Sequence, residues 1–256
     1  MKLFSRKHGT KGQDLIIIHG LFGMSDNWNT IGKKFSKYCK VHLIDLRNHG
    51  RSPHSDQFNY NVMCDDITEY IIDNKISNPI ILGHSLGGKV AMKFAFESPK
   101  KIDKLIVADI SPRQYNTDFH MNLLKVLYKL PLEDFNKRDE ILQALSLYLD
   151  NKGIILFLMK NLYRNEDNKF AWRFNIHVLL EKIDNIQEAD FITGTCNVPT
   201  HFIRGANSDY INSTDELIIN KYFSDFSIAT IDRSGHWIHA DEPEHFYNEV
   251  MGFCLI

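Results

Sequence analysis

This chain has little of what would tie it to a metal, a nucleotide or a membrane. Its 256 residues hold four cysteines, Cys39, Cys64, Cys196 and Cys254, widely spaced and without a Cys-x-x-Cys pair. Such cysteines read as free thiols of a reducing compartment rather than a disulfide framework or a zinc site. There is no His-Glu-x-x-His helix, no EF-hand spacing and no clustered Cys/His set, so no metal is expected. No Gly-x-Gly-x-x-Gly or Walker loop is present, so no nucleotide cofactor is expected either. The net charge is only -2, which leaves no basic excess for nucleic acid. Two lysine groups, Lys33, Lys34 and Lys37, and Lys100, Lys101 and Lys104, read as solvated helix faces. No apolar run reaches transmembrane length, and the opening Met-Lys-Leu-Phe-Ser-Arg-Lys-His turns polar at once. The expectation is a soluble, cytoplasmic protein with a small-molecule substrate.

What is present is a rhythm of short branched runs and helical stretches. Residues 15–18, 41–44, 80–82, 105–108, 200–203 and 227–231 read as buried strands followed by turn signals. Residues 28–38, 62–74, 86–97 and 214–223 read as helices, and Pro243 suits the first turn of a last one. This alternation predicts an α/β fold, a mostly parallel sheet with helices on both faces. Residues 112–189 break the rhythm. They show no convincing strand, and helix-like spacing over 115–130, 132–150, 154–162 and 170–183. The stretch is too long for a crossover and too apolar for a linker. It reads as a helical lid inserted between core segments 1–111 and 190–256.

The chemistry centres on Gly83-His-Ser85-Leu-Gly87, set between an apolar strand and a helix. In such a turn the serine is pushed out above the sheet as a candidate nucleophile. A serine nucleophile needs a base, an acid to orient the base, and donors for the oxyanion. His236 follows the last strand and comes late in the chain, as the base does in a Ser–acid–His order, with His239 its nearest rival. His19, His42, His84 and His201 lie in or beside strands and read as structural. The amide of Leu86, at the new helix N-terminus, is one oxyanion donor. The amide of Leu21, in the His19-Gly20 turn after the first apolar strand, is the other. The acid has two candidates. The loop after strand 200–203 presents Ser208 in the usual register, with Asp209 one residue late. Asp109 ends an apolar strand, where a carboxylate is costly without a partner and an imidazole N–H would satisfy it. Asp109 is favoured.

These motifs fall in the order that characterises the α/β-hydrolase superfamily, which the whole chain resembles. They are the His19-Gly20 turn, residues 45–52 (Asp-Leu-Arg-Asn-His-Gly-Arg-Ser), residues 83–88 and residues 235–243. More narrowly, the chain resembles the small bacterial YbfF-type esterases. That likeness rests on residues 47–50, 84–89, 109–112 (Asp-Ile-Ser-Pro), 172–175 (Trp-Arg-Phe-Asn) and Asn207-Ser208. The resemblance implies an acid at Asp109 with a serine, Ser208, in the usual acid position, and hydrolysis of acyl esters and acyl-CoA thioesters.

The expected activity is that of a carboxylic ester hydrolase with a covalent acyl-enzyme on Ser85. His236 is the base, Asp109 the acid, and Leu21 and Leu86 supply the oxyanion amides. The acyl site is expected in the lid, with Trp172 and Phe174 among its walls. Activity should rise with pH through the ordinary imidazole range, about 6.5. Two other classes share the scaffold: a C–C bond hydrolase on the same triad, and a ligand-binding homologue without catalysis. A substrate panel separates the first, and labelling of Ser85 by a fluorophosphonate the second.

Overall fold

The computed structural model describes residues 1–186, 192 and 194–255. The proposed core boundary at 189/190 lies outside the described residues.

Nine strands and ten α-helices are described. In chain order the strands are β1 (Ser5–His8), β2 (Asp14–Ile18), β3 (Lys40–Ile44), β4 (Ile80–His84), β5 (Lys104–Ala108), β6 (Leu162–Arg164), β7 (Phe170–Trp172), β8 (Thr200–Gly205) and β9 (Phe226–Ile231). The helices are α1 (Asn29–Phe35), α2 (Tyr60–Asp73), α3 (Leu86–Glu97), α4 (Asp118–Lys129), α5 (Arg138–Ser146), α6 (Lys152–Met159), α7 (Ile176–Lys182), α8 (Ser213–Tyr222), α9 (Ile238–Asp241) and α10 (Pro243–Cys254).

Seven strands form one sheet in the order β1-β3-β2-β4-β5-β8-β9. All neighbours pair in parallel except β1, which runs antiparallel to β3. The inner strands are continuous apolar runs because both of their faces are covered. Successive residues point to opposite sides. Ile16, Ile18, Ile81, Leu105 and Val107 therefore join the cluster under α2 and α3. Leu15, Ile17, Ile80, Leu82 and Ile106 join a second cluster with Phe35 of α1 and Phe246 and Val250 of α10. The chain winds outward in both directions from β2 and β4, so the gap between their carboxyl ends is where such sheets bind ligands. Ser85 stands there.

Between β5 and β8 the structure corrects the all-helical expectation. α4 to α7 are present, but β6 and β7 form an antiparallel hairpin pairing Leu162 with Trp172 and Arg164 with Phe170. Its turn is closed by Asn165 N–H donating to the Lys169 carbonyl at 2.9 Å, with Asn168 at φ +59. The expected helix over 170–183 is therefore β7 followed by α7. The segment is fastened to the sheet domain at several points. Asn161 Nδ2 donates to the Phe22 carbonyl at 2.8 Å, and the Asn175 amide donates to the Asn48 carbonyl at 2.9 Å. Tyr60 Oη donates to the Ile186 carbonyl at 2.7 Å. Among the described residues no helix is long and apolar enough to cross a membrane.

Candidate active site

The elbow is built by close backbone approach. β4 delivers the chain to Ser85, which turns at φ +53 and ψ -118 before α3 begins at Leu86. That left-handed turn is strained for a non-glycine residue and needs surrounding packing to hold it. Gly87 allows the packing: a Cβ there would lie 2.3 Å from the Ile18 carbonyl oxygen. Ser85 N–H donates to the Ala108 carbonyl at 3.0 Å, which ties the elbow to the end of β5.

The turn after β2 lies against the serine. A Cβ on Gly20 would stand 3.1 Å from Ser85 Cβ. The Gly23 amide closes the turn on the Gly20 carbonyl at 2.9 Å. His19 fixes the turn from beneath: Nδ1–H donates to the Gly20 carbonyl at 2.8 Å, and Nε2 accepts from the Leu46 amide at 3.0 Å. Leu21 borders the cavities beside Ser85. Leu86 is the first residue of α3, so its amide is one of those that a helix leaves without an intrahelical acceptor.

Asp109 follows β5 at φ +51 and is fully buried. Its carboxylate accepts from three donors. Gly205 N–H reaches Oδ1 at 3.0 Å, His236 Nδ1–H reaches Oδ2 at 2.7 Å, and the Ser208 hydroxyl also donates to Oδ2. A buried carboxylate is tolerable only with such partners. With Nδ1 bound as the donor, Nε2 of a neutral His236 is left as an acceptor. His236 and Ser85 line the same cavity, of about 440 Å³.

His236 is held from two further sides. Tyr210 stacks on its ring at 3.9 Å and 19°. His84 Nε2–H donates to the His236 carbonyl at 2.8 Å, so the residue before Ser85 grips the backbone of the histidine loop. Sequence reasoning assigned neither role. Tyr210 lies two residues past Ser208, but nothing in the local sequence marks it as a ring partner.

The rival assignments sit elsewhere. His239 stacks on Trp28 at 3.9 Å and 14°, and its Nδ1 is buried without a partner among the described residues. Burial, with help from the neighbouring His236, pushes its pKa down to about 3. It is a neutral wall of the cavity, and among the described residues no acid bonds to its ring. The Asp209 backbone carbonyl accepts from Arg113 Nη2 at 3.3 Å, and the carboxylate at His236 Nδ1 belongs to Asp109.

Trp172 and Phe174 are corrected: neither lines the cavity at Ser85. They stack on each other at 5.3 Å and 10°, and Phe174 packs 5.2 Å from Phe22. Together with Asn175, which bonds to Asn48, they form the seam between the 112–186 segment and the sheet domain. The residues that do reach over Ser85 come from α4 and α6: Phe119, His120, Leu123, Ile154, Phe157 and Leu158. Sequence reasoning missed all six, because helical spacing marks an apolar face without saying what it meets.

Besides His236, the site and its surroundings hold the buried imidazoles of His19 and His49 and the half-buried one of His120. Burial lowers His19 to about 4 and, with the nearby His19, His49 to about 3. Burial lowers His120 to about 4, with His236 adding to the effect. These groups stay neutral in the fold, whereas the unfolded chain takes up their protons below about 6.5. More protons on the unfolded state mean stability that falls as pH drops from about 6.5 towards 4. The slope approaches about 1.4 kcal/mol per pH unit for each histidine kept neutral. Urea midpoints measured from pH 7 to 4 should fall steadily; a flat series would contradict this account.

With this geometry in view, the comparisons with known proteins fix the class. Residues 15–243 match the family model described as the alpha/beta hydrolase fold. The chain belongs to the α/β-hydrolase family. Within it, the chain is 30% identical to esterase YbfF of Escherichia coli over 95% of both proteins. It is 33% identical to the sn-1-specific diacylglycerol lipase ABHD11 of Danio rerio, over 93% of this chain and 77% of that one. A solved structure described as a marine microorganism esterase matches with a TM-score of 0.95 and 41% identity, over 98% of this chain and 99% of the other.

Proposed function

We propose that this protein hydrolyses carboxylic esters through a covalent acyl-enzyme on Ser85, and that the same chemistry extends to acyl-CoA thioesters. Ester cleavage is supported by relatives named as esterases and a lipase, similar over nearly the whole chain. The observation that carries the mechanism is the 2.7 Å bond from His236 Nδ1 to the buried Asp109, beside a serine held in a left-handed elbow.

In the proposed cycle Ser85 Oγ attacks the acyl carbon while His236 Nε2 takes its proton. The carbonyl oxygen becomes an oxyanion that accepts from the amides of Leu21 and Leu86. The tetrahedral adduct collapses by breaking the bond to the alcohol or thiol, which leaves with the proton from His236. Water then adds to the acyl-serine, giving a proton to His236, and collapse returns that proton to Ser85 Oγ and frees the acid. Asp109 fixes the imidazole tautomer and stabilises the imidazolium that forms twice per turnover. Ser208 and Gly205 hold Asp109 in place. Residues 112–186 act as a lid whose α4 and α6 place apolar side chains over Ser85.

The test is a fluorophosphonate probe followed by turnover of p-nitrophenyl esters and acyl-CoAs of graded length. Covalent label on Ser85 with ester turnover is the expected result. An unlabelled Ser85 with no ester turnover sinks the proposal, and turnover of a β-diketone in place of esters moves the chain to C–C bond hydrolysis.

A further inference from the structure

Ser85 stands where two cavities meet. The larger is about 440 Å³ and the smaller about 320 Å³. Leu21, His120 and Tyr210 border both of them, as Ser85 does. His236 borders only the larger, and Leu86 only the smaller. This asymmetry has a chemical consequence. When the tetrahedral adduct collapses, the leaving oxygen takes its proton from His236, so it must lie within hydrogen-bond reach of that ring. The acyl carbon is bound to Ser85 with its oxygen on the two amides, so the acyl chain extends away from His236.

From this arrangement we infer that the larger cavity holds the leaving group and the smaller one the acyl group, so that the preferred substrates are short acyl groups on large apolar alcohols. The inference rests on the ester-hydrolase reading above and adds the side on which each half of the substrate lies.

The walls agree with the partition. The larger cavity has polar groups too, in Asn27, Asn151, Asp241 and the histidines around Ser85, but Leu123, Ile154, Phe157, Leu158 and Trp237 give it an apolar wall, with the Phe157 and Trp237 rings 5.5 Å apart. Such a lining favours an extended hydrocarbon. The smaller cavity has Leu21, Leu86, Ile110, Ile186 and Tyr60, but also Lys89, Arg113, Tyr115 and Thr117. Its polar groups hold one another. Arg113 Nε donates to buried Asp215 at 2.8 Å, and the guanidinium lies 3.8 Å over the Tyr115 ring. The Tyr115 hydroxyl accepts from the Ser111 amide at 2.8 Å and donates to the Tyr210 carbonyl. A long methylene chain pushed among these groups would strip them of water or of each other, which is costly. A short acyl group is not opposed in this way.

Two isomeric esters of equal composition test the partition: hexyl acetate, with the chain on the alcohol, and ethyl hexanoate, with the chain on the acid. The wild-type protein should favour hexyl acetate in kcat/KM by about tenfold or more. Ile154→Trp, which fills the larger cavity from a half-buried position, should lower that ratio by about tenfold, whereas Asn116→Trp at the exposed rim of the smaller one should raise it. A wild-type preference for ethyl hexanoate, or a ratio that rises in Ile154→Trp, overturns the assignment. Equal rates for the two isomers with Ser85 labelled by fluorophosphonate overturn the partition alone. An unlabelled Ser85 that turns over neither ester overturns the hydrolase reading beneath it.

Discussion

Replacing Ser85 with alanine is expected to lower kcat by a factor on the order of 10⁶, with stability nearly unchanged. The size follows from what the substitution removes. In the proposed cycle no acyl-enzyme forms without Oγ, and His236 and Asp109 have no hydroxyl to activate. The amides of Leu21 and Leu86, the proposed oxyanion donors, stay in place, so the variant should still bind substrate and retain the weak catalysis that such donors give alone. Alanine keeps the Cβ, so the strained φ of +53 is neither relieved nor worsened. Ser85→Gly makes a useful companion. Glycine adopts positive φ freely, so it should abolish turnover equally while raising stability by roughly 1 kcal/mol. Steady-state turnover and urea midpoints on the two variants test both halves. An alanine variant that keeps more than about a thousandth of the wild-type rate would contradict the acyl-enzyme.

What the sequence revealed, and what it concealed, follows from where each signal is stored. β2, β4 and β5 are visible as branched apolar runs because they are buried on both faces. The elbow is visible because its glycines are forced by backbone approach. β1 is not visible: Ser5–His8 has no apolar alternation, and its place comes from antiparallel pairing with β3 at the edge of the sheet. The β6–β7 hairpin is hidden for a different reason. Strands of three residues are too short for a period, and Phe170, Ala171 and Trp172 suit a helix as well as a strand. Within the site, residues that must follow a strand end were readable from order along the chain. Those that meet only across the fold were not. Tyr210 on His236, His84 on the His236 carbonyl and α6 over Ser85 depend on packing between segments far apart in sequence. Trp172 and Phe174 show the limit most plainly. An aromatic pair in the inserted segment looks like a substrate wall, yet it is used to fasten that segment to Phe22.

Asp109→Asn is expected to lower kcat by roughly 10⁴ while KM moves little. The buried carboxylate takes three hydrogen bonds, and asparagine is nearly isosteric: its Oδ1 still accepts from the Gly205 amide and the Ser208 hydroxyl can rotate to accept from the new NH₂, so the fold should survive where alanine would leave the Gly205 amide without its acceptor. The effect is one of tautomer. An amide NH₂ turned towards His236 Nδ1 donates instead of accepting, which places the imidazole proton on Nε2. That nitrogen can then no longer take the proton of Ser85. The positive charge that the proposed cycle places on His236 also loses its counter-ion. Asp209→Asn serves as the control. Its carboxylate is one residue out of register, and the 2.7 Å bond to His236 belongs to Asp109, so turnover should stay within a few-fold of wild type. Rates for the two variants, measured with thermal unfolding to confirm that each is folded, discriminate between the two acids. If Asp109→Asn keeps its rate while Asp209→Asn loses it, the acid is Asp209, and the Asp109 network of Gly205, Ser208 and His236 is only structural.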